Sequence, residues 1–323
     1  MSSVFKKNNI ALIILLVLFS CVKPLIPTNN SYVAKTVVWA ILNPDSTLTL
    51  VTSGNRGLED NDMVNITNID MFLFENGLLV DQLHNQSIHS DSQTHRFSFK
   101  PKHNKTYTIK MVNQEVEING LVAMPNPFLK PDQVSLTQGD NAQLSYTITD
   151  DESFNDAYQF SVEMYHYGVL ADTASGDTID KNYLFKRGYD KYEEPELNYN
   201  FLGLNNSGLD IYTFPVADYL FNGKKKRFLF TLQNPITNIF FIPRNIISGA
   251  PVSNKLICTK QYVLIKCRKI SPDYYKFLVS ENKNNAIFGT PYFNPTNVYS
   301  NIQGGLGLIG AMVERTDTVW IKK

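Results

Sequence analysis

The sequence predicts an all-β protein with an N-terminal immunoglobulin-like sandwich, followed by a second β-rich domain with one short late helix. Apolar and polar residues alternate over many short stretches, as at Tyr107, Ile109 and Met111, which is the period of a half-buried strand. Asn-Gly pairs, a strong hairpin signal, lie beside such stretches. The 323 residues are 43% hydrophobic, which is sufficient for two domains with cores of their own.

The first stretch of the chain has the pattern of an export signal. Lys6 and Lys7 precede an uncharged apolar run at residues 10–19. As a helix this run would be about 15 Å long, whereas the hydrocarbon core of a bilayer is about 30 Å thick. The run is therefore typical of a signal peptide rather than of a membrane-spanning helix.

The apolar run ends in Leu18-Phe19-Ser20-Cys21, which resembles a bacterial lipobox. We therefore expect residues 1–20 to be a lipoprotein signal peptide that is cleaved before Cys21. Acyl chains on Cys21 would then anchor the protein to the membrane, and the proline-containing residues 21–31 would form a tether. An ordinary secretory signal is the alternative.

Residues 32–125 are expected to form the first sandwich. Asn76-Gly77 separates two apolar stretches, and a type I′ turn is expected there because both of its central positions need positive φ. The strand-like stretches of this domain are residues 32–42, 46–52, 69–75, 78–83, 95–100, 106–112 and 115–124.

Residues 126–323 are expected to form the second domain, since closely spaced prolines at 125–131 disfavour both helix and sheet. Ser271-Pro272-Asp273 combines an N-cap serine, a proline at the first helical position and an acid near the positive end of the dipole. A long polar insertion is expected at residues 168–211. The strand-like stretches are residues 142–149, 158–164, 226–233, 239–247, 255–270 and 312–321.

Two patterns, a glycine motif and a group of aspartates, resemble ligand sites, but we expect each of them to have a structural role instead. Gly305-Leu306-Gly307-Leu308-Ile309-Gly310 matches a dinucleotide fingerprint, but that mechanism needs a helix after it and an acid about twenty positions on. The following residues are strand-like, so we expect the glycines to permit close packing and expect no cofactor. Residues 172–180 hold three aspartates, for which a solvated turn is expected and calcium is the alternative.

Four of the five histidines, His84, His89, His95 and His103, lie close together but lack metal-ligand spacing, so no metal site is expected. Cys258 and Cys267 lie in strand-like sequence. Nine residues of one strand would separate them by about 30 Å. Two free, buried thiols are therefore expected, and a disulfide across a turn is the alternative.

No catalytic residues are assigned, because the sequence contains no GxSxG motif and no serine lies in a recognisable nucleophile elbow. An enzyme with a site assembled in space stays an alternative. The 30 basic residues balance the 30 acidic residues, so no electrostatic argument exists for nucleic acid as a partner.

An aromatic, charged stretch at residues 183–201 is the best candidate for a binding surface. Tyrosine and phenylalanine rings offer large rigid contact areas, so a glycan or a peptide is the expected ligand class. The alternative is that the rings pack back onto the sheet. The candidate residues are Tyr183, Phe185, Tyr189, Tyr192, Tyr199 and Phe201.

Four blocks carry a resemblance to a known family: the lipobox at Cys21 and residues 218–224, 271–278 and 298–311. Together they resemble an uncharacterised domain-of-unknown-function family of outer-membrane lipoproteins from Bacteroidota. Members of that family are typically encoded beside TonB-dependent receptors. The resemblance implies an all-β layout, a lipid anchor in the outer membrane, and a non-enzymatic accessory or ligand-binding role beside such a receptor. A glycan-binding surface lipoprotein and an envelope hydrolase are the alternatives.

Overall fold

The computed structural model describes residues 35–54, 66–89, 91–114, 116–127, 131–137, 141–152, 156–173, 175–189, 215–233, 239–243, 253–287 and 298–321. Three predicted features lie outside these ranges: the signal peptide at residues 1–20, the lipidation site at Cys21 and the tether at residues 21–31.

Strands dominate the described residues, which confirms the all-β prediction. The strands are β1 (Thr36–Leu42), β2 (Thr49–Gly54), β3 (Ile66–Glu75), β4 (Leu78–Ile88), β5 (Gln93–Arg96), β6 (Thr106–Val112), β7 (Glu117–Ala123), β8 (Gln133–Leu136), β9 (Asn141–Thr149), β10 (Ala157–Asp172), β11 (Thr178–Tyr189), β12 (Val216–Ala217), β13 (Lys225–Gln233), β14 (Ile239–Pro243), β15 (Ser253–Ile270), β16 (Ile302–Gln303) and β17 (Leu306–Trp320). A late helix, α1 (Pro272–Ile287), follows β15. Within the described ranges, no helix is both long and apolar enough to cross a bilayer.

The strands form three sheets. A five-stranded sheet has the order β16-β7-β6-β3-β4, and a three-stranded sheet has the order β13-β9-β8. The third sheet runs β11-β10-β15-β17-β1-β2-β5, with β12 beside β10 and β14 beside β15. Strand β17 joins the two halves of this long sheet, because Leu306–Ala311 pair in parallel with β1 and Met312–Trp320 pair antiparallel with β15.

Each of the smaller sheets packs on one half of the long sheet and encloses a hydrophobic core. The first core joins Met71 and Ile109 of the five-stranded sheet to Leu42 of β1, and it also takes Ile309 and Ala311 from β17. The second core lies between the three-stranded sheet and the β10-β15 half of the long sheet. The domain limits 32–125 and 126–323 stay a prediction, and the last strand contributes side chains to the first core.

Two local predictions are confirmed. Asn76 and Gly77 have φ values of 50° and 83°, as a type I′ turn between β3 and β4 requires. Helix α1 begins at Pro272, and the Ser271 Oγ accepts a 3.4 Å hydrogen bond from the Tyr274 N–H. The same Oγ accepts a 3.1 Å bond from the Ala311 N–H. The serine therefore caps the helix and also fixes its start against β17.

The first part of the long polar insertion expected at residues 168–211 forms a strand hairpin. Strand β10 continues to Asp172, and β11 returns from Thr178 beside it. Periodicity missed this hairpin because the residues near its tip are mostly polar and are exposed on both faces, although its backbone groups are paired along the ladder. Strand β15 is a single strand of 18 residues. Its two cysteines, Cys258 and Cys267, are buried and are not joined by a disulfide, as expected.

Candidate functional site

The outer face of the five-stranded sheet carries a groove whose floor comes from alternating positions of β3 and β6. Side chains of a strand point to opposite faces in turn. On β3, Met71 and Leu73 point into the core and are fully buried. The residues between and beside them, Asp70, Phe72 and Phe74, point outward and are only half-buried.

The groove has a volume of about 900 Å³. Ligand sites in proteins are typically about 300–1,000 Å³ and combine apolar walls with a few polar groups, so both the size and the lining fit a binding site. The lining residues are Ile66, Thr67, Asn68, Asp70, Phe72, Phe74, Leu79, Lys110, Val112, Asn113 and Gln114.

Two irregularities accompany the hollow in the sheet. Asn68 in β3 and Asn85 in β4 have φ values of 55° and 54°, a left-handed conformation in which asparagine is enriched among non-glycine residues. The β3–β4 pairing shifts register between Ile66 and Ile69 and again between Ile69 and Met71. Such bulges bend a strand and increase its twist, and they can therefore account for a hollow at this edge of the sheet.

Asp70 is the anionic group of the groove. Its Oδ1 accepts a 3.1 Å bond from the Asn85 N–H and lies 3.1 Å from the His84 Nδ1, which donates because a carboxylate can only accept. The bond from Asn85, and then the bond from His84, hold the pKa of Asp70 below its ordinary value, so Asp70 is ionised at neutral pH. No hydrogen bond from the described residues reaches its Oδ2.

Aromatic rings form the apolar part of the floor. The rings of Phe72 and Phe74 lie 6.5 Å apart, and the His84 ring meets Phe72 edge-on at 6.3 Å. Leu79 on β4 remains 50% exposed. The groove therefore presents accessible apolar surface beside an ionised carboxylate.

The cation of the groove is already compensated. The Lys110 Nζ lies 2.8 Å from the Glu117 Oε1 on the neighbouring strand β7, and both side chains are partly exposed. The remaining rim residues, Thr67, Asn68 and Gln114, are exposed and polar. Chemically, the site offers hydroxyl and amide groups around two rings, with one free carboxylate oxygen.

The described part of the predicted aromatic surface, residues 183–189, belongs to the long sheet, whereas the groove lies on the five-stranded sheet. Tyr183 and Phe185 belong to β11 and are half-buried against a small core cluster of Leu170, Leu256 and Cys258. Tyr189 is the last residue of β11. A binding role for this surface stays a prediction. Three of its residues lie outside the described ranges: Tyr192, Tyr199 and Phe201.

The histidines have separate surroundings. His84 belongs to the groove. His95 is buried, with its Nε2 2.9 Å from the Thr52 Oγ1 and its Nδ1 3.1 Å from the Gln86 Oε1, and burial lowers its pKa. Within the described part of the chain, no group of three or more His, Cys, Asp or Glu residues is placed to hold a metal ion.

The glycine motif at residues 305–310 serves strand packing. Gly307 has a φ of 110°, and a Cβ there would lie 2.0 Å from the Val38 carbonyl oxygen. The motif forms the first part of strand β17 and is followed by more of that strand rather than by a helix, so the geometry that a pyrophosphate needs is not formed. As expected, the glycines allow β17 to approach β1 closely.

Sequence reasoning missed the groove, although one signal was present. Residues 71–74 read Met-Phe-Leu-Phe, which makes β3 apolar on both faces, whereas its neighbours β4 and β6 carry polar residues on the outer face. A strand that is apolar on both faces beside the edge of an antiparallel sheet indicates an outer surface that is covered or that binds.

Comparison with known proteins places nearly the whole described region in one protein family. A family model for a domain of unknown function (DUF4249) matches residues 22–318, and this match includes every groove residue. No curated protein matches the chain.

Proposed function

The chain belongs to the DUF4249 family, a family of unknown function, and from that premise we propose that it is a non-enzymatic, lipid-anchored binding protein of the outer membrane. In this proposal the groove on β3, β4 and β6 holds a ligand, and a TonB-dependent receptor is the partner that receives it. The groove is the observation that carries the proposal. The lipobox-like sequence at Cys21 supports the anchor.

The start of β1 lies near one end of the groove, which supports a role close to the membrane. Gly305 passes so close to Thr36 that a Cβ would lie 2.8 Å from the Thr36 carbonyl oxygen, and Gly304 makes a similarly close approach to Glu117. Glu117 pairs in register with Val112 of the groove. A stretch from Cys21 to Thr36 spans at most about 50 Å when extended. A tether would therefore keep the groove within reach of a membrane receptor.

The anchor and the partner can be tested together. The full-length protein, carrying a C-terminal tag, is expressed in its native host, and the solubilised membranes are passed over an affinity resin. We expect a TonB-dependent receptor to co-purify with it. We also expect radioactive palmitate to label the wild type and not the Cys21→Ala variant.

Ser20→Ala is the matched control, because it keeps a small residue before the expected cleavage site and should preserve labelling. Unchanged labelling of Cys21→Ala would refute the anchor. Consistent failure to recover any receptor from membranes that contain the tagged protein would refute the partner.

A further inference from the structure

The groove also points to the chemistry of its ligand: we propose that it binds a neutral oligosaccharide. This inference rests on the proposed function, since it takes the groove as the ligand site. It is carried by three observations: the accessible rings of Phe72 and Phe74, the free oxygen of Asp70, and the uncharged polar rim.

The rings supply surfaces that suit a sugar. A pyranose ring has an apolar C–H face, and phenylalanine rings offer a matching rigid apolar face. Phe72 and Phe74 lie 6.5 Å apart and are half-buried, so they are held in place by the sheet while part of each ring stays accessible. Leu79 and Val112 continue the apolar floor on either side.

The polar groups suit hydroxyls. Asp70 is ionised, and its Oδ1 is held by Asn85 and His84 while its Oδ2 accepts no bond from the described residues. Asn68 and Gln114 line the groove, and their side chains make no hydrogen bond to the described residues. An acceptor-only carboxylate beside amides that both donate and accept can satisfy adjacent hydroxyl groups, which also do both.

Charge argues against an anionic ligand. Lys110 is the cation that lines the groove, and Glu117 neutralises it at 2.8 Å. Asp70 then leaves the local charge negative, which would repel a phosphate or a carboxylate. A fatty chain is also disfavoured, because covering Asp70 and Asn68 with hydrocarbon would remove their hydration without replacing it.

Backbone pairing argues against an extended peptide. From Asp70 to Glu75, strand β3 is paired on both sides, with β4 and with β6, so this part of the groove floor offers side chains rather than free backbone groups. A peptide lying on this face would bury N–H and C=O groups without partners. An oligosaccharide can instead direct its remaining hydroxyls to water, and a volume of about 900 Å³ can hold more than one sugar.

The test uses the full-length protein, purified in a detergent that has no sugar headgroup, on an array of neutral oligosaccharides. The tightest binder is then titrated by calorimetry. We expect Phe72→Ala and Asp70→Asn each to weaken binding about tenfold or more. Tyr219→Ala, at a ring that is 72% exposed elsewhere, and Asp45→Asn, at an exposed aspartate, are the matched controls and should bind as the wild type does.

Circular dichroism of each variant shows whether it is folded, and Asp70→Asn gives a test that does not alter the apolar floor. A silent array would overturn the inference, as would unchanged affinity in folded Phe72→Ala and Asp70→Asn. If the array is silent but a receptor is recovered, the oligosaccharide inference fails and the proposed receptor partner stands. If an oligosaccharide binds but no receptor is recovered, the proposed receptor partner fails and the oligosaccharide inference stands.

Discussion

The groove and a buried cluster beside the start of β10 both depend on aspartates, yet they hold them in opposite environments. The Asp70 side chain in the groove is 40% exposed. In the cluster, Asp156 is 3% exposed, and its Oδ2 lies 2.6 Å from the Nζ of Lys269. The Asp218 Oδ2 accepts a 2.6 Å bond from the Asp156 N–H, and Asp150 accepts a 2.5 Å bond from the Tyr158 hydroxyl.

The two environments move the carboxyl pKa values in opposite directions. In the groove, hydrogen bonds to the ionised form lower the pKa of Asp70. In the cluster, burial outweighs Lys269 and raises the pKa of Asp156 to about 6, and burial also raises the pKa of Asp218. An exposed carboxylate with a lowered pKa is available to a ligand. A buried carboxylate whose partners belong to the fold connects β10, β12 and β15 instead.

The largest expected effect comes from removing the cation of the cluster. Lys269→Met leaves Asp156 and Asp218 buried without a nearby positive charge. We expect the free energy of unfolding, measured in urea, to fall by about 3–5 kcal/mol, because breaking a buried ion pair leaves an uncompensated charge. Lys260→Met, at an exposed position of the same strand, is the control and should change stability little. Similar losses in both variants would show that burial is not the cause.

The next effect is a pH dependence with opposite signs in the two regions. The folded-state pKa of Asp156 is raised, so its contribution to stability is present at low pH and is lost as the pH rises from 3.8 to about 6. The pKa of Asp70 is lowered, so its contribution is present at neutral pH and is lost as the pH falls. Urea unfolding of wild type, Asp156→Asn and Asp70→Asn should give two difference curves of opposite slope. The contribution of Asp156 falls as the pH rises from 3.8 to about 6, and the contribution of Asp70 rises with pH in the more acidic range around and below 3.8.

Two difference curves with the same slope would break the comparison. A flat curve for Asp156→Asn would mean that Lys269 holds Asp156 ionised against the effect of burial. A flat curve for Asp70→Asn would mean that its two hydrogen bonds do not favour the ionised carboxylate over the protonated one.

Local sequence signals predicted the elements well, but they could not predict the pairing that builds these two sites. Strand β6 occupies the expected residues 106–112, and α1 starts at the expected Pro272, because alternation and capping act over a few residues. The cluster joins Asp156 to Lys269 through the long β10–β15 register. That register depends on contacts between distant parts of the chain, which no local pattern records.

The groove could not be predicted from the sequence for a different reason. Its apolar residues are visible in the sequence, but the hollow occurs where the β3–β4 pairing is irregular at Asn68 and Asn85. Asparagine is frequent in ordinary turns, so sequence alone could not separate a bulge within a strand from a loop. The strands of the sheet could therefore be predicted from the sequence, whereas the bulges that bend the sheet could not.

A smaller effect on stability is expected from removing a tyrosine hydroxyl, and it should be larger for a buried hydroxyl than for an exposed one. Tyr158→Phe removes the donor to Asp150 within the cluster, and we expect the free energy of unfolding to fall by about 1–3 kcal/mol because a buried acceptor loses its partner. Tyr167→Phe removes an exposed bond to the Asn182 Oδ1, for which water can substitute. Equal destabilisation of the two variants, measured by urea unfolding, would remove the distinction between buried and exposed partners.

The smallest effect on stability is expected at the groove, where the largest effect on binding is also expected. Asp70→Asn keeps an acceptor for the Asn85 N–H and removes only a partly exposed charge, so at neutral pH its urea midpoint should shift less than those of the cluster variants. Its affinity for the oligosaccharide should nevertheless fall, because an amide oxygen is a weaker acceptor than a carboxylate. The opposite result, a destabilised protein that binds normally, would place Asp70 with the buried aspartates as a structural group. The same pair of measurements thus decides whether an exposed carboxylate in this fold serves a ligand or the sheet.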